Sequence, residues 1–123
     1  MSELRFTEDH EWLRTDPDGL VTVGITDHAQ DQLGDVVFVQ LPEPGARFGA
    51  GEEAVVIESV KAAGEIRLPA AGEVVEVNAA LVDEPALVNQ DPLGGGWFLR
   101  VRLDDTAVLG GLMDEAAYRS FLG

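Results

Sequence analysis

Apolar residues along this chain come in short, β-branched runs, each cut off by Gly, Pro or Asp within a few positions. That rhythm predicts strands rather than helices. Strands are expected over residues 11–14, 20–25, 35–41, 52–59, 64–68, 72–78 and 97–103. Between the first two, "TDPDG" at 15–19 predicts a tight turn and hence a hairpin. Pro presets φ there, and Asp-Gly accepts the left-handed conformation. "TDHAQDQLG" at 26–34 breaks the strand pattern. With Thr26 or Asp27 as N-cap and Gly34 as terminator, it predicts a short helix. "PEPG" at 42–45 is a loop, and 79–96 has room for one short helix and an irregular segment. Residues 114–122 predict a C-terminal helix, capped by Asp114 and stopped at Gly123. Many short strands with frequent turns give a mainly β architecture, a small flattened barrel or sandwich. The length fits a single domain over 1–123.

Composition narrows the chemistry. An apolar fraction of 46% is enough to fill a core. Against 23 acidic residues stand only 8 basic ones, a formal net charge of −15. Nucleic acid and anionic membranes, which need cationic surfaces, are disfavoured. Partners with basic patches are favoured. There is no cysteine, so disulfides, thiol nucleophiles and thiolate metal sites are excluded, and redox chemistry must be added to the chain. "MSELRFTEDHEW" has no apolar h-region and is rich in acids, unlike a signal or transit peptide. No apolar run approaches the ~20 residues that span a bilayer. The expected location is cytoplasmic.

The chain holds a single lysine, Lys61, beside seven arginines. An Ala, Gly, Val and Arg bias accounts for the scarcity but not for the position. If 52–59 and 64–68 pair antiparallel, residues 60–63 form the turn and Lys61 sits near its tip, open to a second protein. Arg would serve equally well for charge. Only Lys offers a primary amine that can be acylated, which replaces an ammonium with a neutral amide. On spacing alone, a covalent attachment site and an ordinary solvated turn lysine both remain open.

"ESVKA" at 58–62 resembles the lipoyl-attachment hairpin of the glycine cleavage H-protein family. "HEWLR" (10–14), "VGITDHAQDQLGDVVFVQLPEPG" (23–45), "GEVVEVN" (72–78), "LVNQDP" (87–92) and "GGWFLRV" (95–101) are similar to that family in the same order. The resemblance covers nearly the whole chain. It implies a lipoyl-domain-like barrel-sandwich hybrid that acts as a covalent cofactor carrier rather than an enzyme. Lipoate would be attached to Lys61, with Glu58, Ser59, Val60 and Ala62 forming the attachment hairpin. Gly45 and Gly72, sixteen before and eleven after the lysine, match the lipoyl-domain pattern and would support that hairpin. The arm would reach on the order of a dozen ångströms. It would supply the sulfur chemistry that the cysteine-free chain lacks.

The implied partners are a pyridoxal-phosphate glycine decarboxylase, a tetrahydrofolate-dependent aminomethyltransferase and a dihydrolipoamide dehydrogenase. A lipoyl or octanoyl transferase or ligase would load the lysine. The carrier is expected to be a monomer. Its aminomethyl cargo, an ammonium at neutral pH, would be sheltered from water near carboxylates. Candidates are Glu11 and Glu65, with Asp9 behind. Relatives often carry Ser in place of Asp9 and Asp in place of Glu65, and ordinary solvated acids remain the alternative for all three. His28 lies in the "TDHAQ" segment and could help shape the cleft. Neither His10 nor His28 has metal-ligand spacing, and no metal site is expected. Trp12 and Trp97 read as core, and "GGGW" (94–97) is no phosphate loop. A biotin carrier would flank its lysine with methionines, and a 2-oxoacid dehydrogenase lipoyl domain would lack the front half of this chain. An acidic hydrolase would need a convergent acid–base pair that no spacing here supplies. A purely structural interaction protein remains as the last alternative.

Overall fold

The computed structural model describes residues 4–123. The first three positions of the N-terminal stretch, expected to carry no leader, lie outside the described residues. Strand β1 (Leu4–Phe6) pairs antiparallel with β2 (Glu11–Thr15), which pairs in turn with β3 (Val21–Ile25). The β2–β3 connection is the expected turn, with Gly19 at φ 85°, a value that Cβ-bearing residues avoid. Helix α1 (Asp27–Leu33) follows, its first turn capped by the Thr26 hydroxyl, which accepts from Ala29 N–H at 3.2 Å. Gly34 ends it at φ 81°.

Strands β4 (Val36–Gln40), β6 (Glu53–Ser59) and β7 (Ala63–Arg67) form a three-stranded antiparallel sheet in the order β4-β6-β7. The two-residue β5 (Arg47–Phe48), β8 (Gly72–Val77) and β9 (Leu99–Leu103) join the first three in a six-stranded sheet ordered β1-β2-β3-β9-β8-β5. One continuous core binds both sheets, with Val23, Val55, Ile57, Ile66, Leu68, Val74 and Leu99 at its centre. Alternation places those side chains inward and leaves the intervening charges in solvent. A smaller aromatic cluster of Phe6, Trp12 and Tyr118 sits apart from it. Trp97 packs against this cluster, so both tryptophans are structural.

Several elements depart from expectation. Two four-residue helices, α2 (Ala80–Asp83) and α3 (Leu87–Gln90), occupy the segment expected to hold one. Strands β1 and β5 and a 3-10 helix (Thr106–Gly111) carry no periodic signal of their own. Helix α4 (Glu115–Leu122) is capped by Asp114 as expected, the carboxylate accepting from Ala117 N–H at 2.8 Å.

Candidate functional site

Strands β6 and β7 meet at a loop of Val60, Lys61 and Ala62, so Ala63 already belongs to β7 rather than to the turn. All three loop residues are exposed. Ser59 makes the turn rigid. Its hydroxyl donates to the Leu33 carbonyl at 2.6 Å and accepts from Ala62 N–H at 3.0 Å and Lys61 N–H at 3.3 Å. Its backbone N–H donates to the Ala62 carbonyl at 2.8 Å. Val60 N–H donates to the Asp35 carbonyl at 3.0 Å, so the turn leans on the segment where α1 ends.

That segment is in turn clamped by Asn89 of α3. Its amide nitrogen donates to Gly34 O (2.8 Å) and Gln30 Oε1 (2.9 Å), and its oxygen accepts from Val36 N–H (2.8 Å). The stem of Lys61 lies over Gly34, where a Cβ would stand 3.0 Å from Lys61 Cε. Gly64 at the start of β7 similarly faces Leu33, whose Cδ2 would be 3.1 Å from an added Cβ. Glycine suits position 34 for its φ of 81°, while the flexible lysyl stem above it could give way to a Cβ.

Arg14, Arg47, Arg67, Arg100 and Arg119 each pair with a carboxylate. Among the described residues, no carboxylate lies within ion-pair distance of Lys61. The chain's one lysyl amine therefore projects unpaired from an anchored turn.

Gly45 and Gly72 lie in different surroundings. Gly45, at φ 96°, donates its N–H to the Val74 carbonyl at 2.7 Å, and Gly72 pairs with Phe48 of β5 and Leu103 of β9. A Cβ at Gly72 would meet the Arg102 carbonyl oxygen at 2.8 Å, so the close approach of β8 to β9 requires glycine. Both act on the six-stranded sheet, away from the lysine turn.

The acidic candidates gather at the other end of β7. Glu11 is 2% exposed, and its Oε2 accepts from the backbone N–H of Arg67 at 2.8 Å. Thr7 Oγ1 donates to its Oε1 at 3.3 Å. Burial pushes its carboxyl up from an ordinary 4.5 to about 7; the Arg67 N–H and Thr7 hydroxyl oppose that rise and the nearby Asp9 adds to it. A cleft of about 370 Å³ lies against it, lined in part by Thr7, Asp9, Arg67, Leu68 and Met113. Glu65 is exposed and pairs with Arg67 Nη2 at 3.1 Å, which also meets Glu53 at 3.2 Å. Glu11, Asp9 and Glu65 thus converge on Arg67, a residue that the sequence reading passed over. The Glu65-x-Arg67 alternation in one strand was the available signal, since it puts both side chains on one face.

His28 does not line that cleft. Its ring lies 4.5 Å from the ring of His10, whose φ is 66° and whose Nδ1 is 2.8 Å from the Tyr118 hydroxyl. Burial and the neighbouring His28 hold the His10 pKa below its usual range. Among the described residues no three His, Asp or Glu side chains converge as a metal site would require. No described helix is long and apolar enough to cross a membrane.

Two packed antiparallel sheets with a lysine raised on an anchored hairpin turn have the form of a carrier domain. The family profile described as glycine cleavage H-protein matches residues 4–123. A glycine cleavage system H protein of Rhodospirillum rubrum is 58% identical over 123 residues, covering all of this chain and 98% of its own. Glycine cleavage system H protein 1 of Pseudomonas aeruginosa is 62% identical over 122 residues, covering 99% of this chain and 95% of its own. The crystal structure of a glycine cleavage system H protein from Mycobacterium marinum superposes with a TM-score of 0.89 at 42% identity, covering 98% of this chain and 97% of that one. The chain belongs to the glycine cleavage H-protein family. Proteins of this family are lipoyl carriers of the glycine cleavage system rather than catalysts. The assignment supports that function over the biotinyl and 2-oxoacid dehydrogenase alternatives.

Proposed function

We propose that this chain carries lipoate in amide linkage on Lys61 and serves as the shared substrate of the glycine cleavage enzymes. The observation that carries the reading is the single lysine, unpaired and exposed on a turn that Ser59 ties to α1, in a chain of this family. When bound, lipoate supplies a dithiolane that takes up the aminomethyl group of glycine and a pair of electrons. The rest falls to the chain's own side chains. Ser59 and Asn89 hold the backbone of the turn, so a loading enzyme meets the lysine's attachment point in a defined setting. Gly34 leaves the lysyl stem free of a side chain beneath it. The partners are the pyridoxal-phosphate decarboxylase, the tetrahydrofolate-dependent aminomethyltransferase, dihydrolipoamide dehydrogenase and the lipoyl or octanoyl transferase or ligase. The chain acts on none of their substrates by itself, as a monomer in the cytoplasm.

Glu65 and Glu11 suit a cationic cargo in different ways. Glu65 and Arg67, whose N–H binds Glu11, both lie on β7, four and six residues beyond Lys61. A cargo would meet either carboxylate only at the far end of the lipoyl arm, not at the lysyl amine itself. Glu65 is solvated and shared with Arg67. Glu11 is buried, with a carboxyl that titrates near neutrality, and an arriving ammonium would draw it into the charged form.

Protein purified from lipoate-competent cells is expected to carry one lipoyl mass increment on Lys61. Lys61→Arg should carry none and should fail to support glycine decarboxylation with the partner enzymes. Its stability should move by less than ~0.5 kcal/mol, as for an exposed turn substitution. An unmodified Lys61, or full activity in Lys61→Arg, would sink the reading.

A further inference from the structure

The edge strand β4 is out of phase with itself. Val36 pairs with Ser59 and Phe38 with Glu58, so Val37 is an extra residue in the ladder. Strict alternation from the buried Val36 would turn Val37 outward and Phe38 inward. The bulge instead leaves both outside, Val37 at 55% and Phe38 at 48% exposure, and returns Val39 to the core. Bulges re-aim side chains and cluster beside functional sites. Here the re-aimed pair lies alongside the lysine turn, where Val60 is 67% exposed. Phe38 is cross-strand from Glu58, three residues before Lys61. The acids Asp35 and Glu58, both exposed, border these apolar groups: the Asp35 carbonyl accepts from Val60 N–H and Glu58 is the cross-strand partner of Phe38. The other large exposed apolar residues, Val82, Leu93, Phe121 and Leu122, belong to α2, the loop after α3, and α4.

We propose that Val37, Phe38 and Val60, rimmed by Asp35 and Glu58, form the surface on which the enzyme that acylates Lys61 docks, through an apolar pocket bordered by basic side chains. The inference rests on the reading of Lys61 as the acylated residue. The amine stands only about 6 Å from its own backbone. An enzyme that forms an amide there must cover the turn itself, whereas enzymes that use the far end of the arm need not. A specific interface buries roughly 800 Å² per partner, far more than a three-residue turn offers, so contact must spread onto an adjoining face. The inner face of this sheet is core. The outer face beside β4 offers apolar anchors, and its carboxylates fix the sign of the partner's rim.

The test follows octanoyl transfer onto the unmodified full-length chain by intact mass, using a purified acyltransferase. Phe38→Ser and Val37→Ser should each lower kcat/KM by about tenfold or more, chiefly through KM, with unchanged melting. Val82→Ser should match wild type. Glu58→Lys should also slow transfer, and added salt should narrow its difference from wild type. Phe38→Ser and Val37→Ser acylated at the wild-type rate would overturn the docking surface while leaving the carrier reading intact. No acylation of wild-type Lys61 would overturn both. If Phe38→Ser is acylated normally but, once lipoylated, fails with the decarboxylase, the face belongs to that enzyme and the proposal is wrong.

Discussion

Glu11 shows how much a single side chain can impose on this protein. Its carboxyl is buried, yet it has only one backbone N–H and one hydroxyl as donors. Charging it inside the protein is therefore costly, and its pKa rises to about 7. In the unfolded chain the same group ionises near 4.5. Between those values the folded state binds a proton that the unfolded state has already lost. The contribution of Glu11 to stability is thus fully present below about pH 4.5 and is lost as pH rises through 7. A shift of this size corresponds to on the order of 3 kcal/mol. Glu11→Gln keeps the shape and an acceptor for Arg67 N–H but cannot ionise. Denaturant titrations at pH 5 and pH 8 should show wild type losing stability relative to Glu11→Gln. Parallel pH profiles for the two proteins would contradict this account.

At the scale of elements, α4 is held to the body mainly by Tyr118. Its ring stacks on Phe6 with centroids 4.5 Å apart, and its hydroxyl lies 2.8 Å from both Thr26 Oγ1 and His10 Nδ1. Backbone bonds between Phe6 and Met113, at 2.8 and 3.1 Å, lead the chain into that helix. Strand β1, the cap of α1 and the C-terminal helix are therefore one unit built around one phenol. Tyr118→Phe retains the stack but leaves Thr26 and His10 without their shared partner. The expected loss is about 1–3 kcal/mol. Hydrogen exchange should quicken in α4 and at the start of α1 while β6 and β7 keep their protection. Equal protection in α4 would mean that the aromatic stack alone secures the helix.

Over the whole molecule, 23 acidic residues against 8 basic ones dominate long-range encounters. Their field reaches about a Debye length, roughly 10 Å at 0.1 M salt and 3 Å at 1 M. Association with the loading enzyme and with the decarboxylase should slow by about tenfold or more across that range, with dissociation rates changing less. Stopped-flow association measured against ionic strength checks this. A flat profile would mean that short-range contacts govern the encounter. The same excess of carboxylates makes Lys61 conspicuous, because it is the chain's one lysyl amine and stands unpaired by any acid of the described residues.

The sequence by itself determined the local pieces. Residues 11–14, 20–25 and 72–78 became β2, β3 and β8 to within a residue or two, because alternation and turn chemistry act over a few neighbours. The caps at Thr26, Gly34 and Asp114 were legible for the same reason. So was the placement of Lys61 on a turn, since it lies between two strand runs that are neighbours in sequence. Tertiary structure decided what depends on partners distant in the chain. Strands β1 and β5 are too short to declare themselves and exist through pairing with β2 and β8. Asn89 clamps a segment more than fifty residues earlier. Glu11 became a buried acid because Arg67, 56 positions away, brings β7 across it. The bulge at Val37 turns Phe38 outward against strict alternation, since register is set by the neighbouring strand rather than by the residue.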